Sequence, residues 1–244
     1  MFIGSGTFIN VIAIIAGASL GVFIGGRMPE RMRALITDVL GLITILGAAT
    51  ALVRIYSESY IAALPKGWPL LAVLASLLIG GVIGSAAHLE DRLEGFGRFL
   101  RIKFRADGQG TFVEGFLSSS LLFVIGPLAI LGSISDGMGT GTDQLILKSS
   151  LDFFAAMAFA ASLGWGVAAS AIPVGIYQGI WTVIGFGLGN ILAEYQVDAM
   201  TIVGGLMLVS IGLGLLKIKT IATGNLLPAL LVAPIFVGAL HQFV

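Results

Sequence analysis

The sequence predicts an all-α fold: a polytopic membrane helix bundle of about eight transmembrane helices. Of its 244 residues, 57% are hydrophobic and only 11% are charged, whereas roughly 25% of the residues in soluble domains are charged. Apolar stretches of about 20 residues, enough to cross a hydrocarbon core roughly 30 Å thick, recur along the whole chain. Basic residues alternate between the connecting loops, as expected if each stretch crosses the membrane once.

Eight stretches are long enough to span a bilayer, and we number them spans 1–8. They are 4–25, 35–55, 68–87, 113–133, 147–168, 171–193, 199–217 and 224–243. Short polar turns separate most of them, which is typical of helices that follow one another across a membrane. No basic segment precedes span 1, and span 1 is long enough to cross, so we expect a mature helix rather than a cleaved signal peptide.

The basic residues predict the orientation of the spans. If the N-terminus is outside, all but three of the thirteen lysines and arginines lie in cytoplasmic loops. The three exceptions are Arg54, Lys66 and Lys148. Cytoplasmic loops are enriched in lysine and arginine, so both termini are expected to be extracytoplasmic.

Composition also excludes several classes of function. The formal net charge is zero, so the basic surface of a nucleic-acid-binding protein is not expected. The chain contains no cysteine and only two histidines, His88 and His241, so we expect no thiolate or histidine metal site and no cofactor. The sequence shows no nucleophile–base set or paired catalytic carboxylates, so an intramembrane enzyme is the least favoured class.

Segment 88–108 is predicted to be an interfacial amphipathic helix, because apolar residues recur there at helical spacing among basic ones. The apolar residues are Leu93, Phe96, Phe99, Leu100 and Phe104. A solvated linker is the alternative. The predicted organisation is one membrane domain with four segments: a first three-helix repeat (1–87), the amphipathic linker helix (88–112), a central hairpin (113–168) and a second three-helix repeat (169–244).

Self-comparison predicts an inverted repeat that relates spans 1–3 to spans 6–8. Asn10 is followed by Gly17 and Leu20-Gly21, and the same spacing returns in Gln178, Gly185 and Leu188-Gly189. Span 1 is predicted to run inward and span 6 outward, so the copies have opposite topology, as in many transporters. The alternative is a chance alignment of two glycine-rich helices, because small residues are common wherever membrane helices pack.

Span 4 is predicted to be a broken helix. Its polar residues are Glu114, Ser118, Ser119 and Ser120. Gly126 and Pro127 lie near its midpoint, where the proline lacks a backbone donor and its ring clashes with the preceding turn. Discontinuous helices hold ions at the midplane of many transporters. A plain proline kink relieved by a neighbouring serine is the alternative.

Further polar side chains in the spans are candidates for a substrate or ion pathway. Lys148 and Asp152 share a helix face at the start of span 5, either as a surface ion pair or as a buried pair in which Asp152 binds a cation or a proton. Asn10 and Gln178 are predicted to form interhelical hydrogen bonds or to contact the substrate. Asp38 in span 2 lies near the cytoplasmic boundary, where it either joins the pathway or contacts headgroup water, as does Glu114.

Several motifs give the chain a family resemblance. They are Gly115-Phe116-Leu117, Ser120-Leu121-Leu122-Phe123, Gly126-Pro127, Ile130–Ile134, Asp136-Gly137, Lys148-Ser149, Asp152, Tyr177-Gln178-Gly179 and Asn225–Ala229. With these motifs, essentially the whole chain resembles the YqgA/YdfK-like bacterial inner-membrane proteins. The resemblance implies a bacterial inner-membrane protein of unknown function, often described as a possible transporter, and it supplies neither a substrate nor a site.

Two functional hypotheses follow from the sequence. The first is a small secondary transporter or channel for an ion or small polar solute, with a pathway formed by spans 4, 5 and 6. The second is a non-catalytic membrane scaffold or sensor that signals through segment 88–108. The glycine-rich helices also predict a homo-oligomer, most simply a two-fold dimer in the bilayer.

Overall fold

Every regular element that the structure describes is helical. The structure is a computed structural model and describes residues 2–103, 110–125, 127–188 and 192–243. The α-helices are α1 (Ser5–Gly25), α2 (Glu30–Leu52), α3 (Glu58–Ala62), α4 (Trp68–Ala86), α5 (Leu89–Lys103), α6 (Phe112–Val124), α7 (Pro127–Gly137), α8 (Asp143–Leu163), α9 (Gly166–Ala169), α10 (Ala171–Leu188), α11 (Glu194–Leu215) and α12 (Ala229–His241). Two 3₁₀ helices, Val53–Tyr56 and Thr223–Leu226, complete the set.

Among the described residues, seven helices are long and apolar enough to cross a membrane. An eighth crossing results if the bent pair α6 and α7 counts as one span. Many large apolar side chains on these helices are exposed, among them Val183 at 70% and Ile235 at 71%. Large exposed apolar surfaces are rare in soluble monomers, so these faces are suited to lipid.

Several predicted ends of spans are wrong by a few residues. The sequence predicts span 5 over 147–168, but α8 begins at Asp143 and ends at Leu163. It ends there because Gly164 has a φ of 80°, a conformation that glycine adopts without strain. The long helices of spans 2 and 7 begin earlier than predicted, at Glu30 and Glu194, since acidic residues are favourable in a first helical turn.

The predicted fourth span consists of two separate helices in the structure. Helix α6 ends at Val124 and α7 begins at Pro127, and the two helices are bent by 62°. A proline can begin a helix because the first-turn N–H groups have no intrahelical partner. Helix α7 then continues to Gly137, four residues beyond the predicted end of span 4.

Some predictions fall on residues outside the described ranges. These are Gly126 of the predicted helix break, Gly189 of the repeat, and Phe104 of the amphipathic segment. The last residues of segment 88–108 and of the predicted span 171–193 also lie partly outside them. The division into segments 1–87, 88–112, 113–168 and 169–244 stays a prediction.

The chain divides into two compact units. Unit 1 comprises residues 1–40 and 94–191, and unit 2 comprises residues 41–93 and 192–244. In unit 1, α1 packs along α8 with its glycines in contact with backbone: Gly17 faces Phe153, Gly21 faces Met157 and Gly25 faces Ala161. Glycines at such spacing allow two membrane helices to approach more closely than larger residues permit.

The second half of α5 belongs to unit 1, where it packs on α6. The ring centroids of Phe96 and Phe116 are 5.9 Å apart in an edge-to-face arrangement. Leu100 is buried in an apolar cluster with Phe112, Phe116 and Ala169. Phe99, by contrast, is 54% exposed, so the apolar residues of α5 are only partly used for packing.

Unit 2 is built on the contacts of α4 with α12 and of α11 with both α12 and the second half of α2. Gly80 and Gly84 of α4 lie against the backbone of Ala229 and Asn225. Near the start of α5, Glu90 accepts a hydrogen bond from the Gly224 N–H at 2.5 Å. Here too, small residues set the distance between helices.

Candidate functional site

One face of α8 is buried and carries the charged pair expected from the sequence. From Leu145 to Ala160, its buried residues recur at helical spacing: Leu145, Lys148, Ser149, Asp152, Ala156, Phe159 and Ala160. Lys148 Nζ forms an ion pair with Asp152 Oδ2 one turn away. Lys148 is 6% exposed and Asp152 is 7% exposed, so the pair is an interior feature of unit 1.

Two amides from other helices complete a polar cluster, which we call the central cluster. Asn10 of α1 donates from Nδ2 to Asp152 Oδ2 at 2.9 Å and to Gln178 Oε1 of α10 at 3.3 Å. Asn10 and Gln178 are both 0% exposed. Asn10, Lys148, Asp152 and Gln178 thus bring together three helices that are distant in sequence.

The central cluster contains polar atoms that its internal hydrogen bonds do not satisfy. Asn10 Oδ1 and Gln178 Nε2 are buried without a hydrogen-bond partner among the described residues. A buried unsatisfied polar atom costs about 1–3 kcal/mol, and charged or polar groups within a membrane interior mark functional sites by default. This cost makes the two amide atoms candidates for contact with a ligand.

The end of α6 also approaches the central cluster. Lys148 Nζ lies 5.9 Å from the ring centroid of Phe123, a distance at which the ring face attracts a cation. Phe123 is the last residue but one of α6. The interruption of the fourth span therefore lies beside the ion pair, although the structure does not describe Gly126.

The three serines of α6 differ in their surroundings. Ser119 is buried and donates to the carbonyl oxygen of Gly115 in its own helix. Ser120 is 5% exposed and its hydroxyl has no partner in the described part of the chain, while Ser118 is half-buried. Of the three, only Ser120 therefore has an unmet hydrogen-bonding capacity comparable to that of the central amides.

Two predicted site residues lie apart from the central cluster. Asp38 and Glu114 are both exposed, whereas every member of the cluster is buried. An exposed carboxylate near the end of a membrane helix is solvated without further partners. Within the described ranges, no contact brings these two acids to the buried ion pair.

A groove lies one helical turn from the central cluster. Its volume is about 490 Å³, and its lining residues are Ile3, Gly4, Thr7, Gly179, Thr182, Val183 and Phe186. The hydroxyls of Thr7 and Thr182 are 3.3 Å apart. Thr7 lies three residues before Asn10 and Thr182 four residues after Gln178, so the threonine pair forms a single polar layer between the groove and the cluster.

On the side of the central cluster opposite the groove, close helix packing extends over a greater length of α1 and α8. From Gly17 to Gly25, α1 lies against the α8 backbone from Phe153 to Ala161. A second cavity of about 310 Å³ opens beyond this contact, with Arg33, Thr111 and Ser162 among its lining residues. The cluster is therefore separated from one cavity by one helical turn and from the other by about two turns of close packing.

Sequence reasoning missed a buried carboxylate of α7. Asp136 is 2% exposed and accepts a hydrogen bond from the Gly6 N–H at 3.0 Å. Gly6 lies in the first turn of α1, whose free N–H groups and positive dipole end favour an anion. The available sequence signal is an acid just beyond the predicted end of span 4, a position at which acids are ordinarily solvated.

A second missed carboxylate organises unit 2. Asp198 Oδ2 accepts hydrogen bonds from Ser57 Oγ at 2.6 Å and Ser59 Oγ at 2.5 Å, and Arg54 lies 3.6 Å from Oδ1. Burial raises the pKa of the nearby Tyr60 to about 12, and the charge of Asp198 acts in the same direction. These bonds hold residues 54–59 against α11, so the role of Asp198 is structural.

Within the described residues, no three histidine, aspartate or glutamate side chains are grouped so that they could hold a metal ion. The central cluster also differs from a metal site in its chemistry, because the carboxylate of Asp152 is paired with the ammonium group of Lys148. The arrangement is suited to hydrogen bonding of a small polar species.

Comparisons with known proteins agree with this description of a membrane protein. A family model described as "Protein of unknown function (DUF554)" matches residues 5–238. The uncharacterized membrane protein YdfK of Bacillus subtilis (strain 168) is 29% identical over 238 residues, which cover 98% of this chain and 97% of YdfK. The uncharacterized protein YqgA of Escherichia coli (strain K12) is 32% identical over 237 residues, which cover 93% of this chain and 94% of YqgA.

No solved structure matches the chain. The family match nevertheless extends over nearly the whole sequence, and both relatives are matched over almost their full length. The resemblance to YqgA and YdfK that the sequence motifs indicate is confirmed. The chain is a membrane protein that belongs to the DUF554 family.

Proposed function

We propose that this protein is a secondary transporter or channel for an ion or a small polar solute, with its binding site at the central cluster of unit 1. The observation that carries the proposal is the burial of Asn10, Lys148, Asp152 and Gln178 together, with one amide atom of Asn10 and one of Gln178 unpartnered among the described residues. A purely structural cluster would gain by satisfying these atoms. A transport site leaves them for its substrate.

The surroundings of the central cluster support alternating access. A groove reaches to within one helical turn of the cluster through the Thr7–Thr182 layer. The close contact of α1 with α8 separates the cluster from the opposite cavity. Transport would require the threonine layer to open to one side and the glycine contact to open to the other.

The predicted inverted repeat is part of the proposal, and several contacts of unit 1 support it. Asn10 and Gln178, the first residues of the two repeat motifs, are in contact. Val11 lies against Gly175 and Thr7 against Thr182, so α1 and α10 run in opposite directions. Gly17 and Gly185 are the next residues of the motifs, and each packs on the backbone of a central helix, α8 or α7.

The proposed orientation places both termini outside the cytoplasm of a bacterial plasma membrane. Its support is the distribution of basic residues, because Arg27, Arg31 and Arg33 follow the first span while α5 carries Arg98, Arg101 and Lys103. In this orientation, the groove beside Thr7 opens outward. The cavity beside Arg33 then opens toward the cytoplasm.

A homodimer is proposed as the state in the bilayer. Some predicted contact glycines, Gly80 and Gly84, are used within unit 2. The glycine content of the helices supports this proposal, because small residues allow helices of two protomers to approach closely. Cross-linking in native membranes that yields only monomers would contradict the dimer.

Flux measurements on proteoliposomes test the transport proposal. Wild-type protein is expected to conduct at least one ion or solute above the rate of protein-free liposomes. Asp152→Asn should reduce this flux, since it removes the charge that orients both Lys148 and Asn10. Ser133→Ala is the control, because Ser133 is buried and its hydroxyl donates to the Ala129 carbonyl of its own helix. Equal rates for wild type and Asp152→Asn in every condition would contradict the proposal.

A scaffold or sensor is the second candidate, and α5 supplies its support. Phe99 and Ile102 are 54% and 64% exposed beside Arg98, Arg101 and Lys103. Exposed apolar side chains beside basic ones favour a membrane interface or a partner protein. Absence of all flux, with a partner lost on Phe99→Ser, would favour this function. In neither case do we propose an enzymatic activity.

A further inference from the structure

The hydrogen bonds of the central cluster have a defined direction. An ionised carboxylate only accepts hydrogen bonds, so Asp152 Oδ2 requires the Nδ2 group of Asn10 rather than its oxygen. The same Nδ2 group faces Gln178 at 3.3 Å, which requires Oε1 on that side. The charge of Asp152 therefore determines the orientation of both amides.

This direction determines which atoms remain for a ligand. Asn10 presents the acceptor Oδ1, and Gln178 presents the donor Nε2. Each belongs to an amide whose other polar atom takes part in the 3.3 Å contact between the two residues, so one free acceptor and one free donor lie on a pair of contacting side chains. A ligand that uses both atoms must itself carry a donor and an acceptor.

The charges of the central cluster indicate that this ligand is neutral. The ammonium group of Lys148 and the carboxylate of Asp152 are paired and buried, and their formal charges cancel. A charged ligand would have to compete for one member of the pair and leave the other buried without a partner, which is strongly unfavourable. An uncharged ligand leaves the pair intact.

We infer that the solute bound at the central cluster is small, uncharged and of the carboxamide or urea type, with its N–H donating to Asn10 Oδ1 and its carbonyl accepting from Gln178 Nε2. This inference rests on the proposed transport function and narrows its substrate to one chemical class. The groove of about 490 Å³ is large enough to hold such a solute on the outer side of the threonine layer, one helical turn from the cluster.

Three isosteric probes test the inference: acetamide, acetate and acetamidinium. They have the same shape, but only acetamide is neutral and carries both a donor and an acceptor. Binding is measured by the shift in melting temperature of the purified full-length protein. Acetamide should raise the melting temperature at concentrations at which the two ions do not, and it should enter proteoliposomes faster than protein-free liposomes.

Two variants with the same chemical change test whether acetamide binds at Gln178. Gln178→Glu replaces the free donor with an acceptor and should weaken acetamide binding by about tenfold or more, the effect of one lost hydrogen bond. Gln144→Glu makes the same chemical change at an exposed position of α8 and should leave binding unchanged. Equal binding by the Gln178→Glu variant and wild type would overturn the assignment.

The outcomes separate this inference from the function on which it rests. If acetate, acetamidinium or an inorganic ion binds and is transported while acetamide is not, the substrate class is wrong and the transport function stands. If neither acetamide, urea, Na⁺, K⁺ nor Cl⁻ crosses faster than in protein-free liposomes, both proposals fail. Acetamide flux that Gln178→Glu abolishes and Gln144→Glu preserves supports both.

Discussion

The ion pair of Lys148 and Asp152 depends on its partners because both charges are buried in unit 1. Removing one member leaves the other as an uncompensated charge, whereas removing both leaves none. The energetic coupling between the two residues should therefore exceed the contribution that either makes alone.

We predict that Lys148→Met lowers the free energy of unfolding by about 3–5 kcal/mol. Adding Asp152→Asn to this variant should recover part of the loss, because the double variant contains neither charge. Denaturant titration of the four proteins in detergent micelles measures the coupling. Effects that add to within about 0.5 kcal/mol would show that the two side chains are independent.

Tyr60 gives a prediction about pH. Its pKa is raised from the ordinary value of 10 to about 12 in the folded protein, so the fold disfavours the phenolate. The contribution of Tyr60 to stability is complete below pH 10 and is lost as the pH rises toward 12. The melting temperature should fall over this range, and less steeply for Tyr60→Phe; identical slopes for the two proteins would contradict the assignment.

For single residues, the sequence predicted the candidate side chains but not all of their contacts. Asn10, Lys148, Asp152 and Gln178 stand out because polar groups in long apolar stretches are costly, and Lys148 and Asp152 are one turn apart. The contacts of Asn10 with Asp152 and Gln178 join positions more than 140 residues apart, which no local pattern specifies. Asp136 and Asp198 were missed because they lie near ends of spans, where acids are ordinarily solvated.

The glycines of α1 act at the scale of the helix pair. A β-carbon at Gly21 would overlap the backbone of Met157, whereas one at Gly47 of α2 would meet no described heavy atom within 4 Å. The two glycines therefore allow the same substitution to be compared with and without a tight helix contact.

We predict that Gly21→Ala lowers the free energy of unfolding by about 1–3 kcal/mol, because α1 and α8 must separate to accommodate the methyl group. Gly47→Ala should be neutral or stabilising by up to about 1 kcal/mol, since alanine favours helix. Denaturant titration of both variants provides the comparison. Similar effects of the two substitutions would show that the α1–α8 contact is looser than the structure indicates.

Helix positions were predictable from hydrophobicity, but several ends were not. The break near Pro127 followed from the chemistry of proline. The early end of α8 depends on the φ of 80° at Gly164, and Gly164 is one of thirty-five glycines. Composition alone does not distinguish a glycine that ends a helix from one that packs within it, such as Gly17.

At the scale of the molecule, the proposed orientation is directly testable because the chain contains no cysteine. Lys66→Cys is expected to react from outside the cell with a membrane-impermeant maleimide, and Gly95→Cys only after the membrane is permeabilised. Lys66 is exposed, and a β-carbon at Gly95 would meet no described heavy atom within 4 Å, so neither substitution should disturb packing. The reverse pattern of labelling would contradict the proposed topology.

The membrane class was predictable from composition, because a chain in which 57% of the residues are hydrophobic is unusual among soluble proteins. The division into two units was not predictable from the sequence. Unit 1 joins residues 1–40 to 94–191, and this grouping results from close helix contacts of small residues rather than from a boundary in the sequence. Small residues permit such contacts at many positions, so their partners become known only in three dimensions.

The contact of Gly17, Gly21 and Gly25 with Phe153, Met157 and Ala161 is periodic, with a step of four residues on both helices. A translation of α1 along α8 by one step, about 6 Å, would therefore place Gly17 at Met157 and Gly21 at Ala161. Two of the three contacts would re-form in the new register. The same translation would move Asn10 by about 6 Å and break its present hydrogen bonds to Asp152 and Gln178, so the register of this one helix contact determines whether the polar centre forms.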